Sequence, residues 1–220
     1  MNSNRLVIAI DGPAGAGKST IAKKIADILD IEYIDTGAMY RAFTLKVLNS
    51  NIDINNLDEI LKLLDTTTIE FKNRHIYLDG TRVDEEIRNN IISNNVSQIA
   101  KIKEVREKMV ELQQKLAISN NVIMDGRDIG TVVLPNANYK FFLTASVEER
   151  AKRRYKELIQ KGISNITYEQ ILEEIKKRDE IDSNREVSPL RKSQDAYVID
   201  TTNKTIDETV QEIISIIEGR

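Results

Sequence analysis

Gly12-Pro13-Ala14-Gly15-Ala16-Gly17-Lys18-Ser19 fits the pattern G-x-x-x-x-G-K-[ST], and its flanks leave it few folds to serve. Before it, Leu6 to Ile10 is a short unbroken apolar run, the pattern of a parallel strand buried on both faces. After it, Ile21, Ala22, Ile25, Ala26 and Leu29 recur at helical spacing within Ser19 to Leu29. Strand, glycine loop and helix in this order open a parallel α/β sheet, with Leu6 to Ile10 as its central strand.

The rest of the chain fits such a sheet. Ile31 to Asp35 reads as a second short strand, and Ala38 to Leu48 as a helix with Phe43 and Val47 on one face. A short helix is expected from Leu57 to Leu64. Small strands are expected at Thr67 to Phe71, Ile76 to Leu78 and Arg82 to Val83, turned at Asn73-Arg74 and Asp79-Gly80. A helical stretch runs from Glu85 to about Ser119, broken near Lys101, with Val105, Met109, Leu112 and Leu116 as a core-facing stripe. Asn121 to Met124, Tyr139 to Leu143 and Tyr197 to Ile199 read as further core strands. Between the last two lie charged helices at Ser146 to Gly162 and Thr167 to about Asp182, a polar excursion suited to a mobile lid.

Bulk properties exclude several classes. With 220 residues, one domain with an elaboration is expected. The absence of cysteine removes disulfides, thiolate zinc sites and a cysteine nucleophile together, and suits the cytoplasm. A formal net charge of -3 argues against a protein that coats nucleic acid. The apolar run near the N-terminus is too short for a signal peptide core or a bilayer span, so no membrane association is expected. The cluster Arg150, Lys152, Arg153, Arg154 and Lys156 reads as a solvated helix face, and His75, the single histidine, as a surface residue in a turn.

In the glycine loop, Gly12 to Gly17 allow the backbone to wrap phosphate oxygens with its N–H groups pointing inward, and the helix that follows adds its positive end. Lys18 supplies a full charge to the β and γ phosphates of ATP. Ser19 is placed to ligate Mg²⁺, with Thr20 beside it. Asp125, at the end of a strand, either holds a Mg²⁺-bound water or caps a turn. A guanine-reading Asn-Lys-x-Asp is missing: in Asn203-Lys204-Thr205-Ile206 the acid, Asp207, arrives one position late.

A small-molecule kinase must hold the acceptor's anion in line with the γ phosphate, so it needs several cations, and the planar fork of arginine suits phosphate best. Arg41 and Arg127 lie near the ends of expected strands, and Arg178 and Arg185 in the expected lid. These residues leave open a nucleotide acceptor, a non-nucleotide acceptor, or a nucleotide-binding switch with none.

The motifs Asp11 to Thr20, Asp35-Thr36-Gly37-Ala38-Met39-Tyr40-Arg41, Asp125-Gly126-Arg127-Asp128-Ile129-Gly130-Thr131-Val132-Val133 and Arg178-Asp179-x-x-Asp182-x-x-Arg185 with Pro189-Leu190 together resemble the bacterial cytidylate kinases. The resemblance covers nearly the whole chain and implies an α/β fold of the P-loop NTPase type. A doubly wound parallel sheet would carry a small antiparallel acceptor-binding insertion at about residues 65 to 100 and a helical lid at about residues 150 to 190. It implies a monomer that phosphorylates CMP or dCMP with ATP. Arg41, Arg127 and Arg185 would hold the acceptor phosphate, and Ser97, Arg106 and Asp128 would read the base. Arg178 and Asp182 would contact the sugar region, and Asp35, Thr36 and Tyr40 would line the same pocket. Lys18, Arg127, Arg178 and Arg185 would carry the catalytic charge.

The base assignment is also chemically coherent. Cytosine offers acceptors at O2 and N3 and a donor at N4, so an arginine donor and an aspartate acceptor complement its edge, whereas uracil reverses N3 and position 4.

Overall fold

In the computed structural model, residues 5–72, 74–118, 120–163 and 165–219 are described. The chain forms two compact units, one running to Tyr33 and resuming at Asn120, the other beginning at Ile34 and ending before Asn120.

The first unit is built on β1 (Val7–Asp11), β6 (Val122–Gly126), β7 (Tyr139–Thr144) and β8 (Tyr197–Asp200), and β2 (Glu32–Asp35) runs through the boundary between Tyr33 and Ile34; the parallel sheet is ordered β2-β6-β1-β7-β8. β1 is central as expected, and it pairs in parallel with β6 on one side and β7 on the other. Later strands lie on both sides of β1, so the chain reverses its winding there, and the loop after β1 sits where open α/β sheets bind ligands. Ile8, Ala9, Ile10, Ile123 and Phe141 have no exposed surface, which is why these strands carry unbroken apolar runs.

β8 departs from the expectation of a core strand. It is a sheet edge, with Tyr197 and Val198 half exposed, because among the described residues only β7 pairs with it; Tyr197 stacks on Phe141 at 5.7 Å. Helix α1 (Lys18–Leu29) buries Ile21, Ala22, Ile25 and Ala26 against this sheet together with α8 (Ile206–Glu218), an element that the sequence reading does not contain. α8 begins with a reciprocal Thr205/Glu208 cap, buries Val210, Ile213 and Ile214, and ends at left-handed Gly219.

The two charged helices form as expected, α6 (Val147–Gln160) capped by Ser146 and α7 (Tyr168–Asn184) by Thr167 with Gln170. They share a small core of Ala151, Leu158, Ile171 and Ile175. The basic face of α6 is a correction: Lys152 and Lys156 are exposed, but Arg150 is 3% exposed because backbone carbonyls and a carboxylate enclose its guanidinium.

The second unit comprises α2 (Thr36–Asn49), α3 (Leu57–Asp65), the antiparallel strands β3 (Ile69–Lys72), β4 (His75–Leu78) and β5 (Thr81–Arg82), a 3-10 turn at Glu86–Arg88, α4 (Asn90–Ala100) and α5 (Lys103–Ala117). Positive φ at both Asp79 and Gly80 makes the tight hairpin that their sequence announces. Asn73 of the other expected turn lies outside the described residues. The helix breaks between Ala100 and Lys103, as expected near Lys101. Met39, Phe43, Ile60, Ile99, Val105 and Met109 form a core without exposed surface, and Leu112 and Leu116 pack at its margin. His75 begins strand β4 rather than sitting in the turn, and its Nδ1 lies 2.7 Å from Asp84 Oδ2. Among the described residues, no helix is long and apolar enough to cross a membrane.

Candidate active site

The glycine loop owes its shape to three positive φ angles, at Gly12, Gly15 and Gly17. At Gly12 the need is absolute, since a Cβ there would sit 2.0 Å from the backbone oxygen of Leu143. Carbonyls around the loop are taken by the protein. Lys18 Nζ donates to Pro13 O at 2.8 Å, Arg150 Nη1 to Ala14 O at 2.9 Å and Thr201 Oγ1 to Ala16 O at 3.4 Å. α1 has Gly17 at its N-cap and no side-chain cap, so its first N–H groups are directed to whatever anion the loop holds.

Lys18 is buried, and burial lowers its pKa well below the usual lysine range, helped by the nearby positive charge of Arg127 and opposed by Asp125. An anion in the loop would oppose that shift, because a negative charge beside Lys18 favours its charged form. Ser19 Oγ donates to Asp125 Oδ2 at 2.9 Å, and Tyr33 OH donates to Asp125 Oδ1 at 2.8 Å. The two residues expected at the metal are therefore adjacent. Among the described residues no cluster of three His, Cys, Asp or Glu forms a protein-only metal cage.

Past β6 the chain presents Arg127 and Asp128. Arg127 Nε donates to Asp182 Oδ2 at 2.8 Å, while Arg185 Nη1 lies 3.7 Å from Asp182 Oδ1 and Arg185 Nη2 lies 3.7 Å from Asp128 Oδ1. Four of the residues expected from sequence are thus brought together, and Asp182, buried among them, is the pivot. Burial alone would raise its pKa, but Arg127, Arg178 and Arg185 outweigh it and hold the carboxyl below its usual range. Reciprocally, Asp182 keeps the buried Arg127 charged against desolvation. The arrangement gathers Arg127 and Arg185 around Asp182, with Asp128 also against Arg185, and its guanidinium groups are suited to binding phosphate oxygens.

A residue that sequence reasoning assigned no role underlies this patch. Asp11, at the end of β1, accepts the N–H groups of Ile129 and Gly130 at 2.7 Å each and so anchors a π-helical turn, Ile129–Val133, directly after Asp128. Burial pushes its carboxyl up to about 7, with the two N–H bonds and Lys18 restraining the rise. Its signal in the sequence is a charged residue ending a buried apolar strand.

In the second unit, Asp35 caps α2 by accepting Ala38 N at 2.9 Å, and it pairs with Arg41 at 2.7 Å. Gly37 permits this closure, because a Cβ there would meet Arg41 Nη1 at 3.0 Å. Thr36 and Tyr40 are buried on the same helix. Arg106, 1% exposed, stands 5.3 Å from the Tyr40 ring centroid and donates to Ala100 O at 3.2 Å, at the negative end of α4, the helix that also carries buried Ser97. All six expected residues of this unit therefore lie on α2 and its cap, α4 and α5.

The profile of the family described as Cytidylate kinase matches residues 8–219. The chain is 60% identical over 212 residues to a cytidylate kinase of Clostridioides difficile strain 630, spanning 96% of this chain and 98% of the relative. Identity is 58% to a cytidylate kinase of Alkaliphilus oremlandii strain OhILAs, over 96% and 97% of the two chains. Among solved structures, an uncharacterized protein from Eubacterium ventriosum superposes with a TM-score of 0.56 at 16% identity, covering 98% of this chain and all of that one. Shikimate kinase from Bacteroides thetaiotaomicron gives 0.50 at 14% identity over 97% and 98%. At such identities these two likenesses concern the fold.

Proposed function

The chain belongs to the cytidylate kinase family, and on that premise we propose that it transfers the γ-phosphoryl group of ATP to CMP or dCMP, giving ADP and CDP or dCDP. The observation that carries the reading is the glycine loop with its buried lysine in the same unit as the Arg127, Arg185 and Asp182 cluster, because phosphoryl transfer is mostly positioning and charge neutralisation.

Gly12 to Gly17 cradle the ATP phosphates with backbone N–H groups, and Lys18 leaves Pro13 O to neutralise charge on the group in flight. Thr20 supports Ser19 on the first turn of α1. Ser19 and Asp125 fit Mg²⁺, a hard cation that takes oxygen ligands, keeps several waters and shares the phosphates; they would hold it, and it would supply further charge neutralisation. Arg41, Arg127 and Arg185 hold the acceptor phosphate, while Arg178 and Asp182 contact the sugar region. Ser97, Arg106 and Asp128 read the cytosine edge, and Asp35, Thr36 and Tyr40 line the acceptor pocket. The acceptor phosphate is already an anion, so the transfer requires no general base, and the lone histidine has no part in it.

The stretch at about residues 65 to 100 serves as the acceptor-binding insertion and that at about residues 150 to 190 as a lid on a single kinase domain acting as a cytoplasmic monomer. Support for the lid comes from the separate small core of α6 and α7. Support for base reading comes from the burial of Arg106 and Asp128, since a buried charge is tolerated only with specific partners.

The test is ADP release coupled to a spectrophotometric readout across CMP, dCMP, UMP, AMP and shikimate. CMP and dCMP should turn over with kcat/KM orders of magnitude above the others. Equal turnover with UMP, or hydrolysis independent of any acceptor, overturns the reading.

A further inference from the structure

Arg150 sits on α6 with its guanidinium turned inward. Nε donates to Ala145 O at 3.0 Å, and Nη1 reaches both Ala14 O at 2.9 Å and Asp179 Oδ2 at 2.7 Å. One terminus of this bridge is thus the backbone of the glycine loop. The other is α7, at the residue following Arg178 and one turn before Asp182. The fit is close, since a Cβ on Gly15 would lie 3.2 Å from Arg150 Cβ.

The C=O and N–H of one peptide unit point in opposite directions. Holding Ala14 O outward therefore aims the Gly15 N–H into the loop, where phosphate oxygens would lie. The guanidinium is fixed by three partners and cannot drop one cheaply, because a buried charge stripped of its partner costs more than the contact itself was worth. Any shift of the Ala14–Gly15 peptide is consequently passed to Asp179, and through it to the helix that carries Arg178 and Asp182.

We propose that Arg150 is a positioning residue that couples occupancy of the glycine loop to α7, so that nucleotide in the loop sets the placement of Arg178 and Asp182 for the acceptor. The proposal rests on the reading of the loop as the ATP site. A direct contact between ATP and α7 would give a similar response, but it would not depend on Asp179.

Hydrogen exchange followed by mass spectrometry on the full chain separates these cases, using a non-hydrolysable ATP analogue with Mg²⁺ and no acceptor. In the unmodified protein the analogue slows exchange in the loop, and also in α7 by about fivefold or more, the lower end of ordinary coupling between sites. Asp179→Asn leaves the contact of Arg150 with Ala14 in place, so it keeps the loop response and loses most of that in α7. Arg150→Lys, whose single ammonium cannot serve all three partners, weakens both. In turnover, Asp179→Asn lowers kcat while KM for ATP stays within about twofold.

Unchanged α7 protection in Asp179→Asn overturns the proposal, as does a wild-type response confined to the loop. A raised KM for ATP with unaltered kcat overturns it too. Absence of loop protection in the unmodified protein rejects the ATP reading itself, and the coupling falls with it.

Discussion

Replacing Asp11 by asparagine removes a charge and one acceptor from a site built for two. Its two oxygens accept Ile129 N–H and Gly130 N–H at 2.7 Å, with 4% of the residue exposed. The amide offers one oxygen, so its NH₂ must face the second N–H, and leaving that donor unmatched costs about 1–3 kcal/mol. A pH dependence lies on top of this cost. Burial raises the folded-state carboxyl from 3.8 to about 7, so the folded chain binds a proton more tightly than the unfolded one. The stabilisation is complete below the unfolded value and is lost as pH rises through about 7. From pH 5 to pH 8 the loss is about two pK units at about 1.4 kcal/mol each, roughly 3 kcal/mol. The asparagine side chain does not titrate, and other groups act alike in both proteins. The difference in Tm, wild type minus Asp11→Asn, should therefore shrink by about 6–12 °C over that range, at about 2–4 °C per kcal/mol for a chain of this size. Thermal melts by circular dichroism at pH 5, 6.5 and 8 read it directly. A gap that stays constant or widens with pH would refute the reasoning, because the two N–H bonds would then be keeping the carboxylate charged throughout.

Two substitutions probe the acceptor side by steady-state kinetics. Asp182→Ala releases Arg127 and Arg185, so kcat/KM should fall on the order of 10–100-fold for both acceptors. The loss for CMP should be the larger if the carboxylate also meets the 2′-hydroxyl; equal losses would mean that Asp182 acts only through the arginines. Asp128→Asn should cut kcat/KM for CMP and narrow the CMP-to-UMP ratio, because an amide can offer N–H to O4 as well as oxygen to N4. A ratio unchanged there and in Arg106→Ala removes both residues from base reading.

What the sequence made legible follows from the range of the forces involved. The central strands and the glycine loop are local patterns: Ile8 to Ile10 are apolar because both faces are covered, and Gly12 is glycine because Leu143 O occupies the place of a Cβ. α8 is equally local: Thr205 and Glu208 cap each other ahead of Val210 and Ile213, a helix signal present in the sequence itself. Arg150 and Asp11 are different. Their partners Ala14 and Ile129 lie 136 and 118 residues away, and a charged side chain looks solvated until such partners are known. The π-helical turn was hidden for the same reason, since Ile129, Val132 and Val133 favour extended backbone until the Asp11 carboxylate takes the first two N–H groups. At the site, the residue types came from motif resemblance, whereas the pivot role of Asp182 and the adjacency of Ser19 and Asp125 came only from the fold.

The central claim is a transfer between two nucleotides, and following the label of γ-³²P-ATP in the presence of CMP tests it most directly. Label should appear on CDP, with Lys18→Ala slowing its appearance at least about 100-fold while the variant still melts cooperatively. Label released as inorganic phosphate, or a folded Lys18→Ala retaining more than about a tenth of the wild-type rate, would contradict it.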